Sequence, residues 1–300
     1  MSAPSVAVLG IGGIGGLVSA LLWRSGCDVT CIAKEDAAEA LRRDGLTLES
    51  AAFGTFTARP AVITHLERDP DILLIATKST TLRNALTRAP ASIAPTALIV
   101  PLLNGIEHLV LLRAVYGPRV AAVVIGGVEA FTRSPTRIMQ TTSSAQIELA
   151  SDGEVAQPRL TALAEMFARA GFTATVRPRE AEVMWGKLVR INALACATSA
   201  SGKRLGEVRS DPWWRAQLEG CLREGVAVAA AEGVVMDADA IMAQIDGFSS
   251  SLGTSMQRDV EAGRPSELDA IAGAVVRAGR RHGIACPITE GLMAQILVAR

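Results

Sequence analysis

The stretch Val6-Ala-Val-Leu-Gly-Ile-Gly-Gly-Ile-Gly15 decides the fold of the first half of this chain. Its apolar start predicts a buried strand, and its G-x-G-x-x-G pattern leads directly into a segment with helical spacing that ends near Gly26. In such a loop the first glycine allows a tight turn, the second lets a ligand approach the backbone, and the third lets the helix pack closely on the strand. A second apolar strand at 28–33 completes the unit, so we predict that the start of the helix binds the pyrophosphate of a dinucleotide.

Short apolar segments alternate with helical segments through the rest of the first half. The predicted strands are 6–9, 28–33, 46–48, 55–59, 72–77, 97–100, 120–126, 145–149 and 173–176. The segments 46–48 and 55–59 are predicted to form a small hairpin. Such alternation is typical of a doubly wound, mostly parallel sheet with helices on both faces, so we predict an α/β fold that begins with a Rossmann-type domain.

The pattern changes after residue 177, where strand signals fade and long helical segments follow. The predicted helices are 181–200, 212–232, 237–246, 254–262, 266–283 and 287–299. Prolines stand near the starts of three of them and glycines follow the ends of two, as expected of helix caps. We therefore predict a dinucleotide-binding Rossmann domain at 1–178 and an all-α substrate and catalytic domain at 179–300.

The composition narrows the class of protein. Of the 300 residues, 49% are hydrophobic and 20% are charged, and the formal net charge is zero, so neither nucleic acid nor an anionic membrane is an expected partner. Five scattered cysteines are typical of free thiols in a reducing, cytoplasmic compartment, and three widely separated histidines predict no metal site. The apolar helices are compatible with a homodimer, and the sequence leaves the oligomeric state open.

The end of the second strand bears on the choice of dinucleotide. A carboxylate there would bind the ribose 2′-hydroxyl of NAD, whereas a cation suits the 2′-phosphate of NADP. The strand ends at Lys34, which favours NADP, but Glu35 and Asp36 follow immediately and leave NAD as the alternative. For Lys34 itself the alternative is a solvated loop lysine.

Lysine is scarce in this chain, which makes each lysine informative. There are 26 arginines but only four lysines, at Lys34, Lys78, Lys187 and Lys203, and a lysine can give up a proton where an arginine cannot. Lys78 and Asn104 follow two predicted strands, where ligands bind in doubly wound sheets, although each has the alternative of being a helix cap or a turn residue. Lys187 lies on a largely apolar predicted helix, where it either reaches the surface or points into a cleft.

The sequence resembles the ketopantoate reductase family along nearly its whole length. Seven pieces occur in the order typical of that family: Gly10–Gly15, Lys34, Lys78, Asn104-Gly105, Trp185-Gly-Lys187, Ser255-Met-Gln-Arg-Asp259 followed by Ser266-Glu267-Leu-Asp269, and His282-Gly-Ile-Ala-Cys-Pro287. Seven pieces in order are far more specific than any one of them. The resemblance implies NADPH-dependent reduction of a small 2-keto acid, by default 2-dehydropantoate (ketopantoate) to pantoate, in pantothenate biosynthesis.

The resemblance also implies a role for each matched side chain. Lys187 would be the general acid that hydrogen-bonds the keto oxygen and protonates it as hydride arrives, and Glu267 would bind a substrate hydroxyl or hold Lys187 in place. The substrate would further contact Asn104, Ser255, Lys78 and Asn192. The cofactor, NADP(H), would contact Gly10, Gly12, Gly13, Ile14, Gly15, Lys34, Lys78 and Asn104.

The first long helix departs from the family pattern. The family commonly has asparagines four and eight residues after the lysine, where this chain has Ile191 and Ala195, and Asn192 lies one place late, about 100° around a helix. This more apolar wall makes a bulkier or aromatic 2-keto acid an alternative substrate. Two other functions stay open: a β-hydroxyacid dehydrogenase, which typically has an asparagine four residues after its lysine, and a non-catalytic NADPH sensor, which needs neither Lys187 nor Glu267.

Overall fold

A computed structural model describes residues 3–298, which form two compact units. The N-terminal unit contains the described chain up to Leu103 together with His108–Val183, and the C-terminal unit contains Asn104–Glu107 together with the described chain from Met184 onward. Every strand among these residues belongs to the N-terminal unit, whereas the C-terminal unit is helical. The predicted fold class, a Rossmann-type α/β domain followed by an all-α domain, is confirmed, and the domain boundary at 178/179 stays a prediction.

The strands of the N-terminal unit, in chain order, are β1 (Ser5–Leu9), β2 (Asp28–Ile32), β3 (Leu46–Ser50), β4 (Gly54–Ala58), β5 (Ala61–Ile63), β6 (Ile72–Ile75), β7 (Leu98–Pro101), β8 (Ala122–Gly126), β9 (Ala130–Ser134), β10 (Arg137–Gln140), β11 (Gln146–Ala150) and β12 (Thr173–Val176). Its helices are α1 (Gly13–Arg24), α2 (Glu35–Asp44), α3 (Leu82–Leu86), α4 (His108–Tyr116) and α5 (Gln157–Arg169). The helices that follow are α6 (Glu180–Ser201), α7 (Leu205–Ser210), α8 (Pro212–Ala231), α9 (Ala238–Asp246), α10 (Ser255–Glu261), α11 (Ala274–Arg281) and α12 (Pro287–Val298).

The main sheet of the N-terminal unit has five parallel strands in the order β5-β2-β1-β6-β7. The chain passes from β1 to β2 on one side and later returns to β6 on the other side, so the strand order reverses between β1 and β6. In doubly wound sheets, ligands bind beyond the carboxyl ends of the strands at such a reversal. The loops after β1 and β6, which contain the glycine pattern and Lys78, therefore lie at the edge where a ligand is expected.

Close packing of α1 fixes the position of the glycine loop. An added Cβ at Gly16 would lie 2.5 Å from Ile138 Cγ1 of β10, so this turn of α1 approaches the strand at the distance that only glycine allows. Further along α1, Leu17 and Leu21 are fully buried, and each such side chain stabilises the fold by about 1.5–3 kcal/mol. The start of α1 is therefore held firmly at the ligand-binding edge of the sheet.

Two smaller sheets, β4-β3-β10-β9 and β12-β11-β8, complete the N-terminal unit. The predicted hairpin is confirmed as β3 and β4, which run antiparallel. Strands β5, β9 and β10 are absent from the sequence predictions. Their side chains are mostly exposed or half-buried, and β10 is placed by parallel pairing with the distant β3, which no local pattern indicates.

The C-terminal unit follows the predicted helices closely. Five of the six predicted segments correspond to α6, α8, α9, α10 and α12. The sixth, 266–283, is irregular, because a π-helical turn at Asp269–Gly273 precedes α11. The short helix α7 was not predicted, and residue 299, the end of the last predicted helix, lies outside the described residues. Between residues 3 and 298, every helix is too short or too polar to cross a membrane.

Candidate active site

The glycine loop joins β1 to α1, and its glycines meet different steric conditions. Gly10 has a φ of +96°, which glycine adopts without strain. An added Cβ at Gly13 would lie 2.2 Å from the Ala130 carbonyl oxygen, and one at Gly15 would lie 1.9 Å from the Gly10 carbonyl oxygen. By contrast, an added Cβ at Gly12 would have no protein atom within 4 Å. Local structure therefore requires glycine at three positions, whereas Gly12 keeps open a space that a ligand can enter.

This open space lies at the N-terminus of α1. Gly12 is the N-cap residue and has no side chain to bind the first N–H groups, which belong to Gly13, Ile14 and the residues after them. The first N–H groups of a helix have no partner within the helix, and together with the helix dipole they bind anions. The loop therefore fits the pyrophosphate of a dinucleotide, and the assignment of Gly10–Gly15 as cofactor contacts stays a prediction that this geometry favours.

Lys34 and Glu35, just beyond β2, differ in what they offer to a ligand. Lys34 is exposed at the N-cap of α2. Glu35 is held in a two-point contact, in which Arg88 Nη1 donates to Oε1 at 3.2 Å and Arg88 Nη2 donates to Oε2 at 3.1 Å. These hydrogen bonds lower the pKa of the Glu35 carboxyl to about 2. Sequence reasoning missed Arg88, because only the tertiary structure brings it to the end of β2.

Lys78 lies on the loop after β6, exposed, directly before a 3-10 turn at Ser79–Thr81. The residue before it, Thr77, is close to the glycine loop, since its Cγ2 would be 2.8 Å from an added Cβ at Gly10. The loops after β1 and β6 are therefore neighbours, as the strand order requires. A cation at this place suits a cofactor phosphate or a substrate carboxylate, and both predicted contacts of Lys78 stay predictions.

In the C-terminal unit, Asn104 and Glu267 are joined by a hydrogen bond across a long sequence separation. Asn104 Nδ2 donates to Glu267 Oε2 at 2.9 Å, and Glu267 is only 7% exposed. Gly105 makes the close approach feasible: its φ is +88°, and an added Cβ would lie 2.4 Å from the Ala270 carbonyl oxygen. The Asn-Gly pair therefore acts as a unit, in which glycine allows the approach and asparagine makes the contact.

Arg277 binds the segment that carries Asn104 and Gly105. It donates to both carboxylate oxygens of Glu107, at 2.9 and 2.7 Å, and to Asp269 Oδ1 at 2.6 Å. Asp269 is the first residue of the π-helical turn, a kind of irregularity that is frequent at functional sites. Arg277 therefore ties the Asn104–Glu107 segment to the turn that follows Glu267.

Lys187 is a partly buried lysine in α6. Removal of the ammonium group from water lowers its pKa from 10.5 to about 8; the Glu267 carboxylate opposes this shift, and the positive charge of Arg190 adds to it. Such a lysine is mostly charged at neutral pH and can release its proton, as a general acid must. The structure therefore brings Lys187 under the influence of Glu267, which in turn contacts Asn104.

The two positions that follow Lys187 at four-residue spacing along α6 are apolar. Ile191 lies one turn further along the helix and is partly exposed, and Ala195 lies two turns further and is buried. Neither side chain can form a hydrogen bond. A substrate group against Ile191 would therefore meet hydrocarbon.

Ser255 is exposed in the first turn of α10. Its neighbour Thr254 is the N-cap of α10, and the Thr254 hydroxyl lies 3.1 Å from the Thr198 hydroxyl of α6. Thr198 is eleven residues after Lys187, which corresponds to about 16 Å along the helix axis. The side chain of Thr254, beside Ser255, therefore contacts α6 three turns beyond Lys187. The predicted contact of Ser255 with substrate stays a prediction.

Asn192 lies in the helical core, which disfavours the predicted contact with substrate; that contact stays a prediction. It is fully buried; its Nδ2 donates to Cys221 Sγ at 3.2 Å, and its Oδ1 accepts from the Cys196 thiol at 3.5 Å. The physical reason is helix periodicity, because a residue five positions after Lys187 lies about 140° around the helix from it. The amide of Asn192 thus links α6 to α8 rather than facing a ligand.

The remaining cysteines and histidines add no further chemistry to this site. All five cysteines are free thiols, and four of them are buried. Nowhere in the described part of the chain do three or more histidine, cysteine, aspartate or glutamate side chains form a group that could hold a metal ion.

Two family models match this chain: Ketopantoate reductase PanE/ApbA over residues 6–153, and Ketopantoate reductase PanE/ApbA C terminal over residues 181–299. A curated relative, the 2-dehydropantoate 2-reductase of Mycobacterium tuberculosis, is 28% identical, and the alignment covers 99% of this chain and 98% of the relative. The first family model covers the glycine loop, and the second covers Lys187 and Glu267.

Solved structures of related proteins also resemble this chain. A PanE/ApbA family ketopantoate reductase from Ralstonia eutropha superimposes with a TM-score of 0.88 at 25% identity, covering 98% of this chain and 97% of that one. A D-mandelate dehydrogenase, solved with NADH and anilino(oxo)acetate, shares the fold with a TM-score of 0.88 at 20% identity and the same coverage. The chain therefore belongs to the ketopantoate reductase family PanE/ApbA and is an oxidoreductase that acts on a keto or CH–OH group.

Proposed function

We propose that this chain reduces a small 2-keto acid to the 2-hydroxy acid with NADPH, and that 2-dehydropantoate is its default substrate. The observation that carries the proposal is Lys187, a partly buried lysine with a pKa of about 8, under the influence of the buried Glu267 carboxylate. Reduction of a keto group needs a proton donor at the oxygen, and a lysine with this pKa supplies one at neutral pH. The N-terminus of α1 supports the second requirement, a dinucleotide, because it offers a phosphate site.

The residues of the C-terminal unit perform the proton chemistry. When bound, the dihydronicotinamide ring supplies hydride to the keto carbon. The Lys187 ammonium group hydrogen-bonds the keto oxygen, stabilises the negative charge that develops there and gives this oxygen a proton, so that C=O becomes CH–OH. Lys187 is left neutral and regains its proton from solvent. Glu267 favours the charged form of Lys187, and the Asn104 amide holds one oxygen of that carboxylate.

The end of β2 supports NADPH over NADH. The exposed ammonium group of Lys34 suits a 2′-phosphate. Glu35, which with Asp36 favoured NAD in the sequence, has both carboxylate oxygens bound by Arg88, whose positive charge offsets that of the carboxylate.

A bulkier or aromatic 2-keto acid is the alternative substrate, and the Lys187 face of α6 favours it. The hydroxyl group of 2-dehydropantoate would lose hydrogen bonds to water if it lay against the partly exposed Ile191, and an unsatisfied polar group costs about 1–3 kcal/mol. A branched or aromatic side chain would gain from the same contact, since it buries apolar surface.

The test is the loss of NADPH absorbance in the presence of 2-dehydropantoate, 3-methyl-2-oxobutanoate, phenylglyoxylate and pyruvate in turn. Fast, selective turnover of 2-dehydropantoate is the expected result for the default substrate. Preference for phenylglyoxylate or 3-methyl-2-oxobutanoate would replace it with the alternative. No turnover of any 2-keto acid, despite tight NADPH binding, would contradict the reductase and favour a sensor of NADPH.

A further inference from the structure

Arg88 is held at the end of the main sheet by backbone as well as by a side chain. Its Nη1 donates to the Thr64 carbonyl oxygen at 3.0 Å and to the Ala33 carbonyl oxygen at 3.5 Å. Thr64 follows β5 and Ala33 follows β2, and these two strands are neighbours in the sheet. Because the ends of two strands fix the guanidinium group, Arg88 can determine where Glu35 lies.

Glu35 is the flexible partner of this pair. Its side chain is 65% exposed, whereas that of Arg88 is 21% exposed, and both of its oxygens accept from Arg88. An ion pair with so exposed a carboxylate contributes little to stability, because water screens it. We therefore explain the two-point contact between Arg88 and Glu35 by the position that it gives the carboxylate, since it adds little to the stability of the fold.

The charges near this pair show what its loss would change. Lys34, Glu35 and Asp36 are consecutive and all exposed just beyond β2. Without Arg88, one cation would stand beside two free carboxylates at the place where a dinucleotide's ribose binds in this fold. With Arg88 bound to Glu35, the positive charges of Lys34 and Arg88 balance the negative charges of Glu35 and Asp36. The Glu35 carboxylate is then paired with Arg88 rather than with Lys34.

We propose that Arg88 is a positioning residue for the choice of cofactor. By binding Glu35 it withdraws the carboxylate that would accept the ribose 2′-hydroxyl of NADH, and it leaves Lys34 to meet the 2′-phosphate of NADPH. The inference rests on the proposed function, in which the glycine loop binds a nicotinamide dinucleotide and NADPH is preferred over NADH. It adds to that function a residue that acts on specificity through another side chain.

The test measures the dissociation constants of NADPH and NADH by fluorescence titration of the whole protein. Arg88→Met releases Glu35, and we expect the preference for NADPH over NADH to fall about tenfold or more, because a free carboxylate repels a 2′-phosphate and accepts a hydroxyl. In the double variant Arg88→Met with Glu35→Gln, the carboxylate is gone, and we expect the preference to return to within about threefold of the wild type. An unchanged preference in Arg88→Met would overturn the inference, and so would a double variant as impaired as the single one.

Two further variants keep the result interpretable. Arg83→Met removes an exposed arginine from α3, five residues earlier, and should leave the preference unchanged. If Arg88→Met does not fold, Arg88→Lys keeps the charge but not the two-point contact; it should still lower the preference several-fold, and no change would overturn the inference. A wild-type protein that binds neither dinucleotide would refute the proposed function as well, whereas tight binding with an unchanged ratio would refute only the role of Arg88.

Discussion

The glycine loop of the N-terminal unit and the Lys187–Glu267 pair of the C-terminal unit position their functional groups by different means. The loop presents backbone N–H groups, and they are placed by close packing, because Gly13 and Gly15 approach neighbouring carbonyl oxygens more closely than any other residue could. The pair presents side chains, and their properties depend on burial and on neighbouring charges. An added methyl group should therefore disrupt the glycine loop, whereas loss of a charged side chain should inactivate the Lys187–Glu267 pair.

The largest expected effect is on the side-chain site. Replacement of Lys187 by alanine removes the proposed proton donor, and we expect kcat to fall about 10²–10⁴-fold, the usual contribution of a general acid. The dissociation constant of NADPH should change by less than about twofold, because the proposed phosphate site is made of backbone. Steady-state kinetics and fluorescence titration measure the two quantities.

Lys203→Ala is the matched control for this variant. Lys203 also belongs to the C-terminal unit, but its ammonium group is half exposed and pairs with Asp211 at 3.1 Å. Its replacement should leave kcat near the wild-type value. A Lys187→Ala protein with kcat within tenfold of the wild type would show that the proton comes from another group.

Alanine substitutions at two glycines of the loop should have different effects on stability and on NADPH affinity. Gly15→Ala would force a Cβ against the Gly10 carbonyl oxygen, and such overpacking lowers the free energy of unfolding by about 1–3 kcal/mol. Gly12→Ala adds its Cβ in open space, so stability should change by less than about 0.5 kcal/mol while NADPH affinity falls roughly tenfold. Urea unfolding and NADPH titration separate the two effects, and the reverse pattern would contradict a phosphate site above Gly12.

The pH dependence of reduction should follow the charge of Lys187. The reaction needs the protonated lysine, and its pKa is lowered to about 8, so kcat should be constant below that pH and fall about tenfold per pH unit above it. Glu267→Gln removes the negative charge that raises this pKa, so the falling limb should move to lower pH. Arg190→Met removes a positive charge that lowers it, so the limb should move to higher pH. A limb that stays in place in both variants would mean that another group titrates.

The smallest effects on activity should distinguish the two asparagines. Asn104→Ala leaves one Glu267 oxygen without its donor, and a hydrogen bond to a charged group contributes about 1.5–3 kcal/mol, so kcat/KM should fall at least tenfold. Asn192→Ala removes an amide from the core, so it should lower the free energy of unfolding by about 1–3 kcal/mol while kcat/KM stays near the wild-type value. A large loss of activity in Asn192→Ala, with stability unchanged, would support the substrate contact predicted from sequence.

Local patterns predicted most of the secondary structure and failed where distant segments meet. The strand–glycine–helix unit and five of the six C-terminal helices follow from spacing within about twenty residues. Strands β9 and β10 were missed because β10 is stabilised by pairing with β3 rather than by its own pattern. The π-helical turn at Asp269–Gly273 was read as regular helix, because its composition is that of a helix.

The sequence by itself determined the parts of this protein that depend on one residue type at one position: the glycines of the loop, the single lysine on an apolar helix, and the order of pieces that indicates the family. The tertiary structure decided which charges meet. It brought Arg88 to Glu35 and Asn104 to Glu267, and it buried Asn192 in the helical core. The physical reason is that steric requirements are local to the backbone, whereas pairing and burial depend on which distant segments the fold brings together.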